Sequence, residues 1–235
     1  MNARDRVGEL ATERGLGEGA APRLWALLEL LAADPHAPSA VRDPARAAEV
    51  HLADSLSALE LPPVRDAQRV TDIGSGAGFP GLPLAIALGE ASVVLIEASG
   101  RKCEFIERAR SAAAIGNARV VCSRAEEWGE GHGWADLVTA RALGELALVL
   151  EYAAPLLALG GTVVAWKGAV SARELDAGMR AAPELGLEPR GVVRSSPYPG
   201  SASHHLHVYA KTTDTPARFP RRPGAAAKQP LGRER

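Results

Sequence analysis

Apolar positions recur along this chain with two periods, and the period switches several times. Leu24, Leu27, Leu28 and Leu31 fall at helical spacing, so one or two modest helices are expected over residues 1–35. The stretch DPHAPS (34–39) breaks that pattern. Asp43-Pro44 then opens a second helix, with Asp43 as N-cap and Pro44 at the first helical position. It is expected to run to about Leu61, ahead of Pro62-Pro63. Beyond it, short apolar runs alternate with amphipathic ones. Strands are expected at 70–73, 93–96, 120–122, 135–140 and 162–166, and helices at 82–88, 101–114, 143–157 and 172–182. Two last strands fit 191–194 and 204–211. Strand–helix alternation sustained over ~140 residues predicts an α/β fold, a mostly parallel sheet with helices on both faces. Three parts follow: a small helical cap (1–61), the α/β domain (62–212) and a Pro- and Arg-rich tail (213–235), expected to be irregular or extended.

Bulk properties narrow the class. With 235 residues, 46% of them hydrophobic, the chain can bury a sizeable core. A net charge of -1 rules out a polycation but leaves room for a local basic patch. The start, MNARDRVGELATERG, is charged and has no apolar core of a signal peptide. No run of ~18 apolar residues is present, so no membrane partner is expected. The only cysteines are Cys103 and Cys122, which make no CxxC pair; a reducing, cytoplasmic compartment and no disulfide framework are expected.

Between the first strand and its helix lies DIGSGAGFPGLP (72–83), with four glycines and two prolines. In an open α/β sheet, ligands bind beyond the carboxyl ends of the strands, where glycines allow positive φ and close approach. A dinucleotide fingerprint counted from Gly74 would place its third glycine at 79, which is Phe79; a match at Gly76, Gly78 and Gly81 starts two residues late. A nucleotide-dependent oxidoreductase is therefore disfavoured. The form Asp72-x-Gly74-x-Gly76-x-Gly78 instead resembles motif I of methyltransferases that use S-adenosylmethionine (SAM). SAM has no pyrophosphate, so the loop can carry Phe79-Pro80 where a phosphate grip would want exposed amides. Glu97, ending the second strand, suits a carboxylate that accepts both ribose hydroxyls, or is an ordinary solvated acid.

A more specific resemblance rests on several segments together. DIGSGAGFPGLPLAI (72–86), VRDP (41–44), HLADSL (51–56), SRAEEW (123–128), ADLVTARAL (135–143), VAWKG (164–168) and the tail RFPRRPGAAAKQPLG (218–232) are similar, in order, to the RsmG family, also called glucose-inhibited division protein B. The chain departs from the family's usual pattern at AADPHAPSAVRD (32–43) and at Val50. The resemblance implies a Rossmann-like SAM-dependent methyltransferase fold with a seven-stranded sheet. It also implies an enzyme that methylates guanine N7 in the 530 loop of 16S rRNA, within the small subunit or an assembly intermediate. Carried over by position, Gly74, Phe79, Ala125, Glu126 and Arg141 would contact the cofactor, alongside Glu97. Arg141 and Lys167 are the catalytic candidates: Arg141 for the cofactor carboxylate or an RNA phosphate, Lys167 for guanine O6 or a phosphate. A structural ion pair also explains Arg141, and a solvated strand end Lys167. His51 and Asp54, three apart on one helical face, buttress the cofactor loop or pair with each other.

Guanine N7 has a free lone pair, so direct methyl displacement needs no nucleophilic cysteine and no base. His204, His205 and His207 suggest a metal only weakly: His205 and His207 share a strand face, but no third ligand has a known spacing, and no metal is expected. Seven basic residues, Lys211, Arg218, Arg221, Arg222, Lys228, Arg233 and Arg235, face two acids, Asp214 and Glu234, in the tail, a balance of +5. That suits a phosphate-binding arm; a soluble disordered tail is the other reading. No obligate protein partner is indicated and a monomer is expected. The alternatives to an rRNA methyltransferase are a methyltransferase for another substrate and a non-catalytic rRNA-binding assembly factor.

Overall fold

Residues 2–201 and 204–232 are described by the structure, a computed structural model. Helix α1 (Ala3–Glu13) starts with a reciprocal capping box between Asn2 and Asp5. It packs on α2 (Ala20–Ala33), whose four spaced leucines are buried as the periodicity requires. Asp43 caps α3 (Pro44–Ala47) by accepting from the Arg46 amide. The helix expected to reach Leu61 is not uniform. It widens into a π-helical turn over Ala48–Ala53, returns to α4 (Asp54–Leu56), and tightens into a 3-10 turn at Ser57–Glu60. Such π turns gather at functional positions, and this one carries His51 into the interior. The short helix α5 (Pro62–Arg65) leads into the sheet.

Five strands are parallel: β1 (Arg69–Ile73), β2 (Ser92–Glu97), β3 (Ala118–Cys122), β4 (Ala135–Arg141) and β5 (Leu157–Lys167). β6 (Leu187–Ser195) and β7 (His204–Lys211) form a hairpin that joins β5 antiparallel. The sheet order is β3-β2-β1-β4-β5-β7-β6. The reversal between β1 and β4 is the switch point at which α/β folds bind ligands. α6 (Gly81–Ala87) and α7 (Gly100–Ala112) connect β1 to β2 and β2 to β3; α8 (Leu146–Ala153) and α9 (Ala172–Glu184) follow β4 and β5. Two cores result. The cap and α6 bury Leu24, Leu28, Leu52 and Leu82 against one face of the sheet; α8, α9 and the tail cover Ile73, Val138, Val163 and Tyr209 on the other.

Three boundaries differ from the sequence expectation. α8 stops at Ala153, not 157, because Pro155 has no amide to continue the ladder and Ala154–Leu156 tightens into a 3-10 turn. β5 consequently begins at Leu157 and crosses Gly160-Gly161 with a register shift against β4. β6 is longer than 191–194: it is an edge strand whose residues between Leu187 and Ser195 are all exposed, so no apolar alternation marks it.

Two chemical expectations are corrected as well. Cys103 on α7 and Cys122 on β3 are joined as a disulfide, with Cα atoms 5.8 Å apart across 19 residues of chain. The tail, too, is docked rather than loose. Phe219 and Ala226 are buried, the latter in the short helix α10 (Ala225–Lys228). Arg221 forks onto Glu151 of α8 at 2.7 and 2.6 Å and also reaches the Gln229 carbonyl. Lys211 is buried, donating to the carbonyls of Ala154 and Leu157. Arg221 and Lys211 are therefore committed to the fold and withdrawn from any phosphate-binding arm. Arg218, Arg222 and Lys228 stay exposed, and Arg233, Glu234 and Arg235 lie outside the described residues.

Glu151 has no solvent exposure, so removing its partner strands a charge in the core. Arg221→Ala is expected to cost about 3–5 kcal/mol and to open residues beyond 215 to proteolysis. Urea denaturation and limited proteolysis check both effects.

Candidate functional site

The motif loop is built by a chain of occupied amides. Gly74 and Ser75 donate to the Ile96 carbonyl, Gly78 and Phe79 to the Ser75 carbonyl. The Gly76 amide donates to Glu97 Oε2 (3.0 Å) and the Gly81 amide to Asp72 Oδ2 (3.2 Å). No row of free amides is left at the start of α6 to grip a phosphate. Gly74 has φ +69°, and a Cβ there would meet Leu143 at 2.5 Å, so only glycine fits this corner. Asp72 does not face the cavity. It is fully buried and also accepts from Thr139 Oγ1 at 2.8 Å, so it pins the loop to β4.

Two cavities open at the carboxyl ends of the strands. The first, about 340 Å³, is lined by Gly74, Glu97, Ala125 and Glu126 among others. These are four of the six residues assigned to the cofactor from sequence. Glu97 spends one carboxylate oxygen on the Gly76 amide and the other on Ser99 N (2.9 Å). Each oxygen keeps lone-pair capacity for a vicinal diol. Glu126 accepts through one carboxylate oxygen from Arg124, which lines the same cavity, and from the Gly224 amide of the tail. The residues fit a nucleoside cofactor without phosphates, such as SAM.

Phe79 and Arg141, the other two, are placed elsewhere. Phe79 is buried and stacks on His51, ring centroids 4.7 Å apart at 13°. Arg141, at the end of β4, turns to the cap. Its Nη1 donates to Asp54 Oδ2 (2.9 Å) and the Val50 carbonyl (3.0 Å), and Nη2 to His51 Nδ1 (3.3 Å). The ion-pair reading of Arg141 is realised, whereas His51 and Asp54 are joined through Arg141 rather than to each other, and His51 backs the motif loop through Phe79. Burial first, then the Arg141 charge, pushes His51 down to about 4, so the ring is neutral at pH 7. With Nδ1 accepting, Nε2 carries the proton and faces Ser39 Oγ at 2.9 Å.

The second cavity, about 380 Å³, is lined by His51, Asp54, Arg141, Trp166, Lys167 and His204, with Val50, Ala142 and Gly168. Lys167 donates to the Gly144 carbonyl (2.7 Å) and pairs with Glu174. Trp166 Nε1 donates to the Asp54 carbonyl (3.0 Å), and Asp54 Oδ1 faces His204 Nδ1 (2.9 Å). Ala142 lines both cavities and holds a left-handed φ of +56°. Such strain outside glycine is concentrated at functional sites. Trp166, His204 and Ala142 were missed in the sequence. The VAWKG segment contained the first, and the histidine cluster hid the second. Nothing in the sequence marks an alanine for positive φ. His207 packs on the opposite face of the sheet, and among the described residues no group of three potential ligands could hold a metal.

Comparison with known proteins accords with this geometry. The sequence model of the family described as GidB, rRNA small subunit methyltransferase G, matches residues 32–196. The ribosomal RNA small subunit methyltransferase G of Rubrobacter xylanophilus is 39% identical over 196 residues, covering 81% of this chain and 75% of its own. That of Syntrophomonas wolfei is 39% identical over 185 residues, 78% of this chain and 86% of its own. Among solved structures, Methanococcus jannaschii fibrillarin, a pre-rRNA processing protein, superposes with TM-score 0.55 at 15% identity, over 68% of this chain and 74% of that one. Aeropyrum pernix fibrillarin, solved with bound SAM, gives 0.50 at 18% identity, over 67% and 73%. These two likenesses establish the shared fold.

Burial raises the Asp72 carboxyl from 3.8 to about 6, against the hydrogen bonds from Thr139 and Gly81. Between those values the folded chain holds a proton that the unfolded chain has lost, so stability tied to Asp72 falls as pH rises through the window. Relative to Asp72→Asn, the wild type is expected to lose about 2 kcal/mol between pH 4 and 7, measured by urea denaturation of both across that range.

Proposed function

This chain belongs to the rRNA small subunit methyltransferase G family, and on that premise we propose that it moves a methyl group from SAM to N7 of a guanine in the 530 loop of 16S rRNA, within the small subunit or an assembly intermediate. One observation carries the reading: a cavity suited to a nucleoside and a cavity walled by Trp166 meet at a single residue, Ala142. A methyl group passing between them travels a short path.

Each side chain has a defined task. Glu97 takes the ribose hydroxyls of the cofactor; the backbone at Ala125-Glu126 meets the adenine edge. Gly74 lets the methionine part lie against the main chain. Phe79 and Arg141 act from behind, as positioning residues: Phe79 through its stack on His51, Arg141 by clamping Asp54 to the end of β4. Trp166 gives the flat apolar wall that a splayed-out base requires. Lys167 keeps one of its three donors for guanine O6.

The cofactor supplies a methyl group on a positively charged sulfur; as the N7 lone pair forms its bond to carbon, the carbon–sulfur pair stays with sulfur. N7 has no proton to lose, so no residue of the chain serves as a base. What the protein supplies is alignment and exclusion of water.

Labelled SAM, unmodified small subunits and the protein are expected to give 7-methylguanosine on mass spectrometry of digested rRNA. Glu97→Gln removes charge-assisted hydrogen bonds and is expected to weaken SAM binding by about tenfold or more. Gly74→Asp, which meets both Leu143 and the positive φ, is expected to abolish transfer. SAM binding without 7-methylguanosine would turn the search to another substrate.

A further inference from the structure

The ends of three neighbouring strands form an ordered row along the second cavity. Ala142 follows β4, Lys167 ends β5, and His204 begins β7; all three line the cavity. The order β4-β5-β7 places them side by side. In register, Arg141 stands beside Trp166 and Lys167 beside His205, so the row is nearly level. Strands lie roughly 5 Å apart, so β7 is roughly 10 Å from β4. A reacting contact of about 3 Å, a purine's width and a hydrogen bond of about 3 Å span the same distance.

The chemistry of the row is ordered too. Ala142 marks the junction with the cofactor cavity. Lys167 is a donor only. His204 is the less obvious member. Its Nδ1 lies 2.9 Å from Asp54 Oδ1, and a carboxylate accepts, so the proton of the neutral ring belongs on Nδ1. Its Nε2 then carries a lone pair and has no partner among the described residues. The sequence junction–donor–acceptor faces N7, O6 and N1–H of guanine in their order along the base edge. Adenine presents N7, a donor amino group and a bare N1, the wrong sign at both of the last two places.

Resting on the function proposed above, we propose that His204, held in one tautomer by Asp54, is the specificity-determining residue that selects guanine by accepting its N1–H, with Lys167 reading O6 beside it. Asp54 is a positioning residue in this pair: its carboxylate fixes which nitrogen of His204 bears the proton, while its other oxygen is taken by Arg141.

The test uses small subunits reconstituted with guanine, inosine or adenine at the target position, and the full-length protein as wild type, His204→Ala and His204→Gln. Single-turnover methyl transfer and SAM affinity are measured for each. Wild type is expected to treat inosine, which keeps N1–H, much like guanine, and to reject adenine. His204→Ala is expected to lose about tenfold or more of kcat/KM on guanine, with its preference over adenine falling by a similar factor. Its SAM affinity is expected to stay within about twofold. His204→Gln, which restores an acceptor, is expected to recover much of the guanine rate. Full guanine-over-adenine preference in His204→Ala overturns the proposal, as does loss of SAM binding in both variants, which would make His204 a residue of the fold. Wild-type protein that binds SAM but methylates no guanine sinks the function beneath it, and this role falls with that reading.

Discussion

The carboxylate of Asp54 is the joint on which the second cavity depends. One oxygen accepts from Arg141 of β4, the other faces His204 of β7, and its backbone carbonyl takes the indole of Trp166 from β5. Asp54 itself sits on α4, in the cap, with only 3% of its surface exposed. A buried carboxylate is costly unless its charge and lone pairs are met, and here β4 and β7 meet them while β5 holds the backbone carbonyl beside it. The cap is thereby held over the strand ends at the mouth of the second cavity. The apolar contacts of α1 and α2 supply bulk stabilisation; they do not specify this registration. The directional bonds to Asp54 do.

Two buried titratable groups near that joint pull in opposite directions. Asp72 resists ionisation at the base of the loop, and His51 resists protonation above Phe79. Asp72 favours the fold at low pH. His51, with its folded value depressed to about 4, contributes stability that is present above its ordinary value of 6.5 and lost as pH falls toward 4. Their windows overlap, so they offset one another in total stability while each still governs its own neighbourhood. At neutral pH the outcome is an uncharged ring against Phe79 and, beside it, the Arg141 cation, whose charge is matched by Asp54.

Much of the fold was legible in the sequence because it rests on periodicity. The four leucines of α2, the Asp43-Pro44 start and every parallel strand carry their own patterns. The misses share a cause: each is settled by a contact distant in sequence. The edge strand β6 lacks apolar alternation because neither of its faces is covered. The tail reads as a cationic arm until Glu151, some seventy residues earlier, takes Arg221. The disulfide needs α7 and β3 folded side by side before 19 residues of separation become 5.8 Å. Within the site, Gly74 and Glu97 were readable because a tight turn and a strand-end acid have local signatures. His204 was not, because its place in the site is set by its contact with Asp54, which lies 150 residues away.

The parallel sheet also explains why so simple a reaction needs this much architecture. Methyl transfer to a lone pair draws on no acid, base or nucleophile, so rate comes from alignment within a fraction of an ångström. Loops alone hold such alignment poorly; strand ends hold it well, because each is braced by ladder hydrogen bonds on both sides. β1 and β2 bring Gly74 and Glu97 to the first cavity, β4 brings Ala142 to the junction, and β5 and β7 bring Lys167 and His204 to the second. The strained backbone at Ala142 falls at the centre of that row, where β4 ends and the two cavities meet. The sheet acts as a ruler with a spacing of roughly 5 Å, and two steps along it span the second cavity from Ala142 to His204.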